Sequence, residues 1–327
     1  MGIVLLLAAG IIAIILAAEL FTNAVEWLGY ALKLASGATG SLLAAIGTSL
    51  PETVVPVAAL LQHRNAGNNL AAGAILGAPF LLYTLALFMT GIALLLFARS
   101  SILTVPVGQL RRDATVFLTA FTIAIAAAFL PHGLRPALAL ILLALYAGYV
   151  VRTLSSGEPV SAAPEPLHLG FAARSKPPLL VILLQLGISL VLLGLGAEVF
   201  IRGIEQLGPD VHIPAVILAL LLVPIATELP ETLNSVSWIR GGADSFAIGN
   251  IMGSAVFQAC LLGALGIIAT PWHFNPAIDV SVTITWITAM LVTVTAWRGR
   301  IHGALLSLTG LGWIGYLATV IASGGRF

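Results

Sequence analysis

Two hexapeptides, GTSLPE at 47–52 and ATELPE at 226–231, set glutamates inside long apolar stretches. Glu52, Glu228 and Glu231 are therefore expected at membrane depth. An ionised side chain there costs roughly 2.5–3.5 kcal/mol on insertion scales, and such residues usually mark an ion or substrate path. The sequence offers no lysine or arginine at comparable depth, so the compensating charge should be a bound cation, a proton, or both. Pro51 and Pro230 stand directly before two of the acids. A proline removes a backbone donor and disrupts the preceding turn, which is expected to break both helices and free carbonyl oxygens. Thr48, Ser49 and Thr227 would add hydroxyl oxygens, unless they bond back to the turn before them. Ca²⁺ takes about six to eight oxygens and Na⁺ also prefers oxygen, so a broken helix beside Glu, Ser and Thr suits either ion.

Further along, Asn250, Ser254 and Gln258 recur at spacing four and should line one face of a helix. The first half has Ala74, Ala78 and Leu82 at the matching places, so the site is expected to be asymmetric. Glu19 and Glu198 lie late in their apolar segments, where gating or ion access is one role open to them. Glu26 and Glu205, roughly two turns on, read as interfacial. All six histidines fall at loops or segment ends, which argues against an intramembrane histidine relay. An intramembrane enzyme would need a nucleophile with a base or a metal motif such as HExxH, and neither pattern is present.

These residues need a membrane-spanning framework, and the composition supplies one. Of 327 residues, 59% are hydrophobic and 8% charged, with a net charge of +1; ordinary soluble domains carry roughly 25% charged residues. No basic patch marks a nucleic-acid partner; lipid is the expected surrounding. The single cysteine, Cys260, excludes an intrachain disulfide and a cysteine-based metal site, and no cofactor is expected. The apolar start of the chain lacks a basic n-region and exceeds the usual signal-peptide core of about 7–15 residues, so it reads as a first span.

Ten apolar runs are long enough to cross a hydrocarbon core of roughly 30 Å as helices. They cover approximately 3–28, 40–62, 70–97, 114–130, 134–152, 178–202, 213–239, 245–269, 278–297 and 302–322. Loops after odd-numbered spans hold ten of the 14 Lys and Arg residues. The positive-inside rule then predicts both termini outside and the long central connection in the cytoplasm, as in a multi-pass protein of a prokaryotic plasma membrane. Trp27, Trp238, Trp272 and Trp297 near span ends read as interfacial anchors. Residues 153–177, rich in Ser, Pro and Ala, read as a flexible linker between segments 1–152 and 178–327.

The two segments resemble each other. An offset of 179 superimposes Ala18-Glu19 on Ala197-Glu198, and Leu50-Pro51-Glu52-Thr53 on Leu229-Pro230-Glu231-Thr232. At offset 176, Gly73, Ile75 and Gly77 meet Gly249, Ile251 and Gly253. Five spans per half, an odd number, predict an all-α membrane protein built as two inverted-topology five-helix repeats, an arrangement typical of secondary transporters.

GTSLPE and ATELPE, with GAILGAPF (73–80) and GNIMGSAVF (249–257), resemble the signature repeats of the Ca²⁺/cation antiporter superfamily, specifically its prokaryotic sodium/calcium exchanger-like members. The resemblance implies an antiporter that exchanges Ca²⁺ for Na⁺ or H⁺ by alternating access. Glu52 and Glu231 would form the central Ca²⁺ site, with Thr48, Ser49, Thr227 and Ser254 as further ligands. The chain departs from that pattern in three respects. Leu82 and Gln258 stand where the family has Asn or Asp, Ala78 replaces a serine, and Glu228 occupies a position usually held by serine. Glu228 would then ligate the driving cation or carry a proton, and an exchanger for another cation, or one driven by protons, is the alternative.

Overall fold

In a computed structural model, residues 2–31, 49–62, 64–98, 100–154, 165–169, 177–211, 215–242 and 244–323 are described. Nearly all are helical. In the first half these are α1 (Gly2–Ala31), α2 (Leu50–Gln62), α3 (Arg64–Leu81), α4 (Leu87–Phe97), α5 (Val107–Phe129) and α6 (Arg135–Leu154). The second half holds α7 (Leu179–Val211), α8 (Ala215–Arg240), α9 (Asp244–Phe257), α10 (Gly263–Ala269), α11 (Pro276–Trp297), α12 (Gly303–Leu308) and α13 (Gly310–Ala322). Among the described residues, eight helical runs are long and apolar enough to cross a membrane. The second expected span is described only from Ser49 onward, as the 13-residue α2.

One π-helical turn, Leu82–Ala86, joins α3 to α4 and another, Gln258–Leu262, joins α9 to α10. The two turns are separated by the same 176 residues that relate the sequences around them. A π turn holds one extra residue and is common at functional sites.

The longest helices, α1 with 30 residues and α7 with 33, reach roughly 45–50 Å at 1.5 Å per residue. They exceed the hydrocarbon thickness and must tilt or project beyond it. They pack along each other through Ile14, Ala17, Phe21, Leu193, Ala197 and Phe200. Leu5, Ile12, Leu16, Leu180, Leu184 and Val191 face outward, as suits lipid rather than water. A second core, formed by α3, α4, α5 and α9–α11, includes Phe80, Tyr83, Phe117 and Phe121. Tyr83 stacks on Phe117 at 4.1 Å between ring centres.

Hydrogen bonds sort the connections onto two faces. On one face, Ile102 and His302 form an antiparallel bridge, and Leu103 N–H donates to Ile301 O at 3.0 Å. There, too, Thr104 N–H donates to Asp244 Oδ2 at 2.9 Å. This face joins the connections after the third, seventh and ninth expected spans. On the other, Arg135 donates to Pro271 O at 2.5 Å, joining those after the fourth and eighth.

Several sequence expectations are corrected. The helix that carries the fourth expected span starts at Val107, ahead of 114; within it Asp113, 1% exposed, pairs with Arg112 Nε at 2.8 Å. Trp27 and Trp272 are buried rather than interfacial; each indole N–H finds a carbonyl, Glu165 O at 2.7 Å and Ala124 O at 2.9 Å. Trp297 is 56% exposed, as an anchor should be. Within the expected linker, 165–169 is docked: Leu167 is buried, Asn23 Nδ2 donates to Glu165 O, and Leu169 N–H donates to Gln185 Oε1 at 2.8 Å. Those contacts offset the entropy cost that a free linker would avoid.

Candidate functional site

Each glutamate is placed by a motif with the same local chemistry. In α2, the Thr53 hydroxyl donates to Ser49 O at 3.1 Å. In α8, 179 residues later, the Thr232 hydroxyl donates to Glu228 O at 2.8 Å. Ser49 and Glu228 thus occupy equivalent backbone positions, one turn before the two threonines. Contrary to the expected break, α8 stays helical across both Pro224 and Pro230. Each proline removes one N–H, leaving the Leu220 and Ala226 carbonyls without their usual partners, while the flanking bonds carry the helix through. For α2, the described chain begins at the motif itself, with Ser49 in a turn and Leu50 starting the helix.

Packing of α8 against α2 and α3 brings the three acids together. Glu52 is 2% exposed, and Glu228 and Glu231 are fully buried. One carboxylate oxygen from each lies within 4.8 Å of those from the other two. At an effective dielectric of about 20, two unit charges at that separation repel by roughly 3–4 kcal/mol. Three ionised carboxylates therefore need a cation between them. Among the described residues, both Glu52 oxygens, Glu228 Oε2 and Ser49 Oγ are buried without a hydrogen-bond partner. Such orphaned oxygens are costly unless an ion or water meets them.

The remaining expected ligands are partly assembled. Ser254 and Gln258 are buried on α9 and the π turn that follows it. Gln258 Nε2 donates to Glu228 Oε1 at 2.5 Å, so the amide serves the third acid directly and keeps its own oxygen, Oε1, unpartnered. The sequence contains both residues, but nothing in it signals that they touch. Ser254 Oγ and both amide atoms of Asn250 are likewise buried without partners among the described residues. Thr227 bonds back to Val223 O at 3.2 Å, the alternative weighed for it, and still has oxygen lone pairs to offer. Thr48 lies outside the described residues.

Beside α8, α3 and the π turn after it carry Ala74, Ala78 and Leu82, all buried, so the polar face of α9 has an apolar counterpart in the first half. Glu198 lies apart from the cluster, paired with Arg202 at 2.6 Å. Glu19 is exposed, 3.8 Å from His168 Nε2.

Comparison with known proteins identifies the family of the chain. The sequence pattern of the sodium/calcium exchanger protein family matches residues 2–154 and 181–322. Inner membrane protein YrbG of Escherichia coli (strain K12) is 24% identical over 320 residues, 95% of each chain. The putative antiporter CaxA of Alkalimonas amylolytica is 24% identical over 274 residues, 82% of this chain and 81% of that one. Among solved structures, an H⁺/Ca²⁺ exchanger CAX superimposes with a TM-score of 0.75 at 17% identity, covering 98% of this chain and 86% of that chain. The sodium-calcium exchanger NCX_Mj gives a TM-score of 0.63 at 21% identity, covering 98% and 99%. These folds are those of transporters rather than enzymes. With both halves matched, the chain belongs to the sodium/calcium exchanger protein family, within the Ca²⁺/cation antiporter superfamily.

Proposed function

We propose that this protein is a secondary antiporter that exchanges Ca²⁺ for Na⁺ or H⁺ by alternating access. The observation that carries the reading is the buried triad of Glu52, Glu228 and Glu231, with oxygens within 4.8 Å of one another. Glu52 and Glu231 bind Ca²⁺ from the two halves, and Ser49, Thr48, Thr227, Ser254 and the Gln258 oxygen complete its shell. The framework is ten spans in two inverted halves with both termini outside. The paired π turns, the repeated Thr-to-carbonyl bond and the family match to each half support the repeat, and the distribution of Lys and Arg supports the orientation. Alternating exposure of a midplane site is what such a framework provides.

Ca²⁺ uptake into proteoliposomes tests the reading, driven in parallel by an outward Na⁺ gradient and an outward H⁺ gradient. Uptake under at least one gradient is expected. Absence under both sinks Ca²⁺ exchange and leaves another cation as the cargo.

Proton coupling is favoured by one specific feature. The apolar Ala74, Ala78 and Leu82 remove oxygen ligands from the first half, while Glu228 adds a third acid that one Ca²⁺ cannot neutralise. Three carboxylates and one Ca²⁺ sum to minus one, which a single proton cancels. Glu228→Gln supplies that neutral state permanently. It is expected to retain Ca²⁺ binding but flatten the dependence of exchange rate on pH. Identical pH profiles for wild type and variant would remove Glu228 from the coupling.

A further inference from the structure

On the face opposite the bridge between Ile102 and His302, the connection from α5 to α6 meets the one from α10 to α11. His132 opens a short 3₁₀ turn in the first, and His273 lies in the second. Both are exposed, and their ring centres lie 5.8 Å apart with the planes at 47°. Neither ring makes a hydrogen bond among the described residues.

The two connections are held in place independently of the histidines. Arg135 donates to Pro271 O at 2.5 Å. Trp272, buried at 1% exposure, donates its indole N–H to Ala124 O, and Phe129 meets Phe274 edge-on at 6.2 Å. Trp272 has φ 47°, a left-handed conformation that a bulky residue adopts only when its surroundings fix it. His273 is thus set on a rigid corner beside His132.

An imidazole nitrogen binds a transition metal at about 2.0–2.1 Å, which puts the ring centre about 3.2 Å from the ion. Two such rings on one ion have centres about 4.5 Å apart at a right angle and about 6.4 Å apart when opposed. The observed spacing falls inside that window. We infer that His132 and His273 form a bis-imidazole site for a borderline divalent transition metal, of the class of Cu²⁺, Ni²⁺ or Zn²⁺. Imidazole selects such ions, whereas the carboxylate and hydroxyl oxygens of the central triad suit hard cations. Water completes the coordination.

Cu²⁺ binds most tightly in this series and serves as the probe. It is added at one equivalent to the full chain in detergent and read by electron paramagnetic resonance. Coupling to two imidazole nitrogens is expected in the wild type and in Glu52→Gln. His132→Ala and His273→Ala should each show one nitrogen and bind about a hundredfold more weakly, since a two-point attachment becomes one. Both side chains are exposed, so the variants should fold and exchange cations normally in buffer free of transition metals. A two-nitrogen spectrum that persists in both single variants, or none in the wild type, would overturn the site.

Discussion

Replacing Glu52 or Glu231 by glutamine is expected to lower cation exchange at least about 100-fold, the upper end of what altering even an indirect metal partner costs. The same substitutions should raise the thermal midpoint of the cation-free protein, because each removes one member of a mutually repelling buried triad. Wild type should gain stability with Ca²⁺, by about 2.7 kcal/mol when the ion is at a hundred times its dissociation constant. The variants should gain little. A melting series with and without Ca²⁺ therefore gives two effects of opposite sign from one substitution. If exchange were lost while the Ca²⁺-induced shift stayed intact, Glu52 and Glu231 would act in movement rather than binding.

Gly77→Ala is expected to cost stability at or above the usual range of about 1–3 kcal/mol for overpacking. A Cβ at Gly77 would strike Leu220 O and come within 2.8 Å of Pro224 Cγ. Leu220 O is the carbonyl whose helical donor Pro224 removes, so the freed oxygen and the proline ring press together against the one residue that leaves room for them. The nearest atoms include the Leu220 backbone, which cannot swing away as a flexible side chain could. Gly187→Ala in α7 is the control, since nothing lies within 4 Å of its Cβ. It should gain up to about 1 kcal/mol from helix propensity. Size-exclusion profiles and melting curves of the two variants should move in opposite directions; equal shifts would mean that α3 and α8 are not in the contact described.

The triad was legible in the sequence because charge inside an apolar run has few explanations, and Glu52, Glu228 and Glu231 do converge. The family and the membrane-spanning character were legible from the paired motifs and from composition. What escaped the sequence depended on contacts between distant segments. The bond from Gln258 to Glu228 joins residues 30 apart on different helices, and no local pattern announces it. The π turns at Leu82–Ala86 and Gln258–Leu262 hide in uniformly apolar segments, where one inserted residue changes no hydropathy. Proline misled in the other direction. Pro230 removes one donor, but α8 gains enough from neighbouring turns and packing to continue through it. Trp27 and Trp272 misled because position near a span end says nothing about which way an indole turns.

The charge of the three carboxylates also bears on which energy source can drive exchange. With all three carboxylates ionised, the site carries minus three and is favoured when its contents sum to plus three, whether as Ca²⁺ with one monovalent ion or as three monovalent ions. Passing from one filling to the other trades two single charges for one double charge, and the net transfer across the bilayer is zero. A membrane voltage worth about 2.3 kcal/mol per charge at 100 mV then does no work on the cycle. Uptake with the potential clamped at zero should match uptake at a strongly negative interior. Such a protein would respond to ion concentrations alone and continue to exchange in a cell whose membrane has depolarised.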